Sequence, residues 1–219
     1  VASSTEAVAP GGTAYQRHAV HQWKAAQTLL DANMTDGHGM PETATPIAFA
    51  YLDHLIVHPE AIVEVIHDLW AGQRLTEGYA YAKVSDPSAK VSALLVPFGA
   101  LPDPVLELEL ARGDVRAISE ALHTRLPRLE RGQARPAAQM SRDERAATAA
   151  VMCALAQDDD CIDVAGRSAH ETWRRLQHEL GVDDPRIRMT YDDIPDRGRQ
   201  RTRSNIRLDM LAVALSALT

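Results

Sequence analysis

The side chains best suited to chemistry recur in pairs. His67 and Trp70 stand at i, i+3, and His170 and Trp173 repeat that spacing, each pair followed at equal distance by a glycine, Gly78 and Gly181. The chain has only three tryptophans, so the repetition is not a by-product of composition. Two indole faces brought together make a slot for a flat ring, and stacking a base on an aromatic side chain is worth about 1–3 kcal/mol with little base preference. The stretch "RGRQRTRSNIR" adds Arg197, Arg199, Arg201 and Arg203, whose guanidinium forks fit phosphate oxyanions. Arg74, one turn after Trp70, has the same capacity, or pairs with a nearby carboxylate. Each group also has a plainer role. A tryptophan on an apolar helix face fills core, His67 and His170 pack helices, at least one of Tyr79 and Tyr81 is core, and an arginine run is a solvated loop. A stacking site leaves both indoles partly open to water; a scaffold with both in the core does not.

Catalytic constellations are weaker. His54 and His58, at i, i+4, share a helix face as metal ligands do, and His67-Asp68 has the form of a His-Asp pair in metal-dependent phosphohydrolases. Pro59 breaks the helix directly after His58, however, and no distant Asp completes the set. Cys153 and Cys161 have neither CxxC spacing nor a nucleophile elbow. A Gly-rich phosphate loop is also missing from the sequence. The expectation is a binding protein rather than an enzyme, with no required cofactor and no metal.

The bulk properties narrow the partners. The 219 residues are 45% apolar and 24% charged, enough for a core, and the formal charge of −7 makes nucleic acid an unlikely partner. No apolar run is long enough for a membrane span. The sparse cysteines fit a reducing cytoplasm, and "VASSTEAVAPGGT" lacks the charged and apolar regions of a secretory signal.

The elements that must position these residues are mainly helical. Residues 1–12 read as a disordered tail. Residues 13–58 form an N-terminal helical extension expected on the outside: a helix over 13–32, a loop over 35–46 and an apolar helix over 47–57. Pro59 starts a helix to Thr76 with Ile62, Val63, Ile66, Leu69, Trp70 and Gln73 on one face. Gly78 stops it. "YAYAKV" and "VSALLVPF" read as short antiparallel strands, and "LPDP" turns the chain into a helix through Leu122. Residues 126–140 are the linker. Ser141-x-x-Glu144 is a capping box opening an Ala-rich helix to about Gln157. "DDDCIDVAGR" reads as a loop, Ser168-x-x-Glu171 as the capping box of the Trp173 helix, "DDPRIRMTYDDIPD" as a short strand and a turn, and 204–218 as the last helix.

The halves align. His67-Asp-Leu-Trp70 matches His170-Glu-Thr-Trp173, Gly78 matches Gly181, and "PFGALPD" (97–103) matches "TYDDIPD" (190–196), each followed by a closing helix. The first half resembles the RyR domain, the repeat named for ryanodine receptor channels: His67, Trp70, Ala71, Arg74, Leu75, Gly78, Tyr79 and Tyr81, then Leu95, Val96, Pro97, Phe98, Leu101 and Pro102, with Ala82 where the family has glycine and the basic stretch before Leu-Val-Pro reduced to Lys90. The second half is degenerate. It keeps His170, Trp173, Arg174 or Arg175, Gly181, Tyr191, Ile194 and Pro195 and lacks the Gly-Trp-x-Tyr-Gly segment.

The resemblance covers 60–122 well and 165–218 loosely. It implies an α+β, mainly helical module of two repeats, 59–125 and 141–219, about a pseudo-two-fold axis. It further implies an adenine nucleotide, or a messenger derived from one, stacked between Trp70 and Trp173, in keeping with bacterial RyR domains found beside nucleotide-signalling and phage-defence components. The ligand-contacting candidates are Trp70, Trp173, His67, His170, Arg74, Tyr79, Tyr81, Tyr191, Arg197 and Arg199. Alternatives are a protein-interaction scaffold and a His/Asp phosphohydrolase.

Overall fold

The structure, a computed structural model, describes residues 12–34, 42–127 and 133–219. The expected tail over 1–12 except Gly12, most of the loop over 35–46 and the middle of the linker lie outside these. The described residues are mainly helical: α1 (Gly12–Ala32), α2 (Thr45–Val57), α3 (Val63–Thr76), α4 (Pro104–Arg125), α5 (Arg142–Leu155), α6 (Asp159–Glu179) and α7 (Asp196–Leu218), with one strand pair, β1 (Ala80–Tyr81) and β2 (Val91–Ser92). Among them, no helix is long and apolar enough to cross a membrane.

Helices pair along their lengths: α1 with α3, α4 with α6, and α5 with α7, while α2 packs on α4 and α5. The core at their centre contains Phe49, Leu52 and Leu55 of α2, Leu69 of α3, Ile118 and Leu122 of α4, Met152 of α5 and Ile162 of α6, all fully buried. Each such side chain contributes about 1.5–3 kcal/mol. α2 is therefore interior and not on the outside. Tyr51 ties it to the last helix through a 2.7 Å bond to Ser216 Oγ. The linker residue Arg135 is strapped down as well, its N–H donating to Ala50 O at 2.8 Å and its guanidinium to Glu144.

Five local expectations are corrected. The helix expected from Pro59 is broken: Pro59–Ala61 is a separate 3-10 turn, and α3 starts at Val63 after Ile62 at φ −129°. α6 begins at Asp159, so "DDDCIDVAGR" is helix and not loop. Asp158 Oδ1 caps it by accepting from the N–H groups of Asp160 and Cys161 at 3.0 and 3.1 Å, and the acidic first turn suits the helix dipole. Ser168, expected as a cap, lies mid-helix and donates to Glu120 Oε2 of α4 at 2.6 Å. α7 begins at Asp196, so the arginine run is helical. Arg199, Arg203 and Arg207 are held there by Asp196, Asp163 and Asp159. The strand expected before it is a 3-10 turn at Pro185–Arg188.

The strands are parallel, Ala80 opposite Val91 and Tyr81 opposite Ser92, where an antiparallel pair was expected. Asp86 is the reason. It accepts from Ser88 N at 2.9 Å, building a turn that sets Asp86 antiparallel to Val91. The chain thus reverses twice between β1 and β2.

Candidate functional site

Both His-x-x-Trp motifs lie on helices, where i, i+3 residues share a face, and each histidine stacks on its own tryptophan. Ring centroids are 5.9 Å apart for His67–Trp70 and 5.6 Å for His170–Trp173. The histidines are buried and satisfied by backbone: His67 Nε2 donates to Val96 O at 2.7 Å, and His170 Nε2 to Met189 O at 3.1 Å. A carbonyl only accepts, so the proton sits on Nε2 in both rings. Burial pushes the His67 pKa down and keeps it neutral. Val96 and Met189 are the residues directly before the aligned "PFGALPD" and "TYDDIPD". The aligned aromatics Phe98 and Tyr191 meet the two imidazoles edge-on, at 6.4 and 6.2 Å. Gly78 and Gly181 close the two helices with φ of 86° and 69°, a conformation glycine adopts without strain. Each makes the same bonds: Gly78 N to Leu75 O and Tyr79 N to Arg74 O, Gly181 N to His178 O and Val182 N to Gln177 O.

Trp70 and Trp173 are both only half-buried, and each carries a guanidinium. Arg74 lies over Trp70 at 5.9 Å and over Tyr79 at 5.5 Å; Arg186 lies over Trp173 at 5.2 Å. Arg201 of α7 joins the two. Burial pushes its pKa down first, then repulsion from Arg74 and Arg186, with Arg197 adding to it. Its side chain is nonetheless open to solvent by area. Guanidinium groups from α3, α7 and the turn at Pro185–Arg188 thus lie close enough for Arg201 to be repelled by both Arg74 and Arg186. Arg74 and Arg186 are neutralised by Glu77 and Asp184. Arg197 and Arg201 have no carboxylate partner among the described residues.

The other candidates fall elsewhere. Tyr81 packs against Tyr15, Ala19, Ala71 and Leu95. Tyr191 is 5% exposed and donates to Asp163 Oδ1 at 3.1 Å; burial and Asp163 push its pKa up to about 12. Tyr191 and Arg199 line a separate polar cavity of about 660 Å³ with Asp163, Arg167 and Arg203. Its cations are matched by acids: Arg167 with Asp192 at 2.8 Å, Arg203 with Asp163 at 2.6 Å and Arg207 with Asp159 at 2.7 Å.

Sequence reasoning missed Arg186, and named Arg201 among the phosphate-fitting arginines without placing it among the ligand-contacting candidates. The one local signal for Arg186 was "DDPR": Asp184 caps the turn and aligns the guanidinium, which it holds through Nε at 3.0 Å. The groups weighed for catalysis are differently placed. The His54 and His58 rings are 4.8 Å apart and His58 Nδ1 is 3.0 Å from Glu60 Oε1, but among the described residues no set of three or more His, Cys, Asp and Glu gathers as metal ligands do. Cys153 and Cys161 are buried, which pushes their thiols up to about 11 and about 12, the reverse of an activated nucleophile.

No family model, curated protein or solved structure matches the chain. What the site does must follow from its own groups: two part-open indoles, each with a cation on it, and two further cations that no acid among the described residues neutralises.

Proposed function

We propose that the chain binds an adenine-containing nucleotide, or a signalling molecule derived from one, without catalysis. The base stacks between Trp70 and Trp173 in a cleft between two pseudo-symmetric repeats, and the phosphates lie on Arg74, Arg186, Arg197 and Arg201. The observation that carries this is that each part-open tryptophan bears a guanidinium, Arg74 on Trp70 and Arg186 on Trp173, with Arg201 close enough to both cations to be repelled by them. The repeat reading is supported by the matched contacts of the two halves, His67 to Val96 O and His170 to Met189 O above all. Magnitudes favour exchange of the cation for a base. A guanidinium over an exposed indole is worth about 0.5–1 kcal/mol, a stacked base about 1–3 kcal/mol. The displaced guanidinium then meets a phosphate, to which it binds bidentately.

A thermal-shift screen of adenine and guanine nucleotides, ADP-ribose and cyclic nucleotides tests this, with Trp70→Ala and Trp173→Ala in parallel. A ligand at a hundred times its dissociation constant adds about 2.7 kcal/mol of stability. The expected outcome is a shift for wild type with adenine ligands that both folded variants lose. No shift with any nucleotide overturns the proposal and leaves a protein-interaction scaffold as the reading.

A further inference from the structure

The side of α7 away from Arg201 carries a second set of cations. Arg199, Arg203 and Arg207 follow at four-residue steps along one helix face, and Arg201 stands two residues from Arg199 and Arg203, about 200° around the helix. With Arg167 of α6 these three line the polar cavity of about 660 Å³. Small-molecule sites commonly enclose about 300–1,000 Å³. Four guanidinium groups on one cavity do not follow from composition, because the chain carries a formal charge of −7.

The floor of the cavity is packed. A Cβ added at Gly166 would meet the Tyr191 hydroxyl at 3.0 Å, and Arg167 stands over the Tyr191 ring at 5.7 Å. The Tyr191 hydroxyl and Arg203 both donate to Asp163 Oδ1, at 3.1 and 2.6 Å. The opposite charges lie at different depths. The side chains of Arg203 and Arg199 are 24% and 36% exposed, those of their partners Asp159 and Asp196 66% and 83%, and that of Asp192, which holds Arg167, 63%. Ion pairs with carboxylates so open to water contribute little and are broken at little cost. They also occupy only part of each fork, which has five N–H donors. Arg203 gives one Nη to Asp163 and the other to Asp159; Arg199 gives one to Asp192 O and the other to Asp196.

We infer that this cavity is a second ligand site, which takes the phosphate group of a small phosphorylated molecule. An aspartate offers two oxygens in one plane, and the aspartates here already do so. A phosphate group presents acceptor oxygens in several directions and carries about two negative charges, so it accepts from Arg167, Arg199 and Arg203 together. The exposed aspartates hold the forks in place beforehand and turn to water when the phosphate arrives, which lowers the cost of ordering the site. Lying across α7 from Arg201, the site is independent of the two-tryptophan cleft.

Calorimetric titration of the full chain with pyrophosphate, inorganic phosphate and succinate, at constant ionic strength, tests this. The variants are Arg167→Gln and Arg199→Gln in the cavity, Trp70→Ala and Arg201→Gln in the cleft, and Asp192→Asn beside Asp183→Asn. Arg167 is half in water, so its replacement folds. Pyrophosphate is expected to bind wild type more tightly than succinate. Each cavity arginine variant should weaken it about tenfold, and the two cleft variants should keep it. Asp192→Asn removes a competitor for the same donors and should tighten pyrophosphate about two- to fivefold. Asp183, paired with Arg188 outside the cavity lining, reports the effect of net charge alone. No binding of pyrophosphate, an affinity unchanged in both cavity variants, or equal effects of the two aspartate substitutions overturns the inference. Binding lost only in Trp70→Ala or Arg201→Gln moves the anion to the cleft, overturning the second site and leaving the proposed function standing. Succinate bound as tightly as pyrophosphate overturns the choice of phosphate.

Discussion

The buried carboxylates of α4 and α7 give the sharpest test of the energetics. Asp209 lies on α7 with 4% of its surface exposed; burial raises its pKa well above the ordinary carboxylate value, and Asp114 of α4 adds repulsion. Asp114 is itself pushed from 3.8 up to about 7, by burial and then by Glu107. A raised carboxylate pKa means that the folded chain keeps a proton the unfolded chain releases. The contribution of Asp114 is full below pH 3.8 and is lost as pH rises to about 7. A rise of about three units, at about 1.4 kcal/mol each, sets that loss near 4 kcal/mol. Asp114→Asn removes the titration. Its amide N–H groups lose water at a cost of about 1–2 kcal/mol at every pH, leaving a net gain of about 2 kcal/mol above pH 7. For a chain of this size that is about 4–8 °C in Tm. Thermal unfolding of both proteins from pH 4 to 8 decides it. The variant should unfold at lower Tm than wild type at pH 4, cross it between pH 5 and 6, and stand higher at pH 8. A constant offset at all pH values, or a variant less stable at pH 8, would refute the reasoning and require a compensating cation beside Asp114.

Two further substitutions probe the helix packing and capping. Gly72→Ala on α3 would place a Cβ 2.2 Å from Ala19 O and 2.8 Å from Trp23 Cβ, so α1 must retreat; denaturant unfolding should show a loss of about 2–3 kcal/mol, with Gly99→Ala, which meets nothing within 4 Å, unchanged within about 0.5 kcal/mol. Ser141→Ala removes one half of the capping box of α5, whose two bonds measure 3.2 and 2.7 Å, and should lower stability by about 1 kcal/mol in the same assay.

What was legible in the sequence was what short spacing determines. The span of α1, the stop of α3 at Gly78 and the Ser141–Glu144 box follow from periodicity, a glycine in left-handed backbone and a cap three residues from its partner. The misread segments were decided by contacts from outside. "DDDCIDVAGR" looks like loop by polarity, but Cys161, Ile162, Ala165, Gly166 and Ala169 form a buried stripe once α4 and α7 lie against it. The arginine run folds into α7 because acids of α6, Asp159 and Asp163, meet it there. Strand direction escaped because alternation says nothing about a double reversal built by the Asp86 carboxylate. In the candidate site, Trp70, Trp173, Arg74 and Tyr79 were readable from one motif, whereas Arg186 and Arg201 depend on a turn and a helix meeting it from far along the chain.

The two halves share few identities, yet the contacts around those identities repeat. A helix that carried His-x-x-Trp by chance would have no reason to set its imidazole on the carbonyl directly before the aligned turn, to meet the aligned aromatic edge-on, and to end on a glycine with the same pair of bonds. Each contact needs a different part of the chain, so together they weigh more than the matched letters. The halves also differ. Among the described residues the second has no strand pair, Thr172 of its α6 packs against Gly113 of α4, and Asp163 with Arg203 sets paired charge beside Tyr191. The case for a repeat therefore rests on the matched contacts of the two motifs, which need several parts of the chain at once, and not on the segments around them.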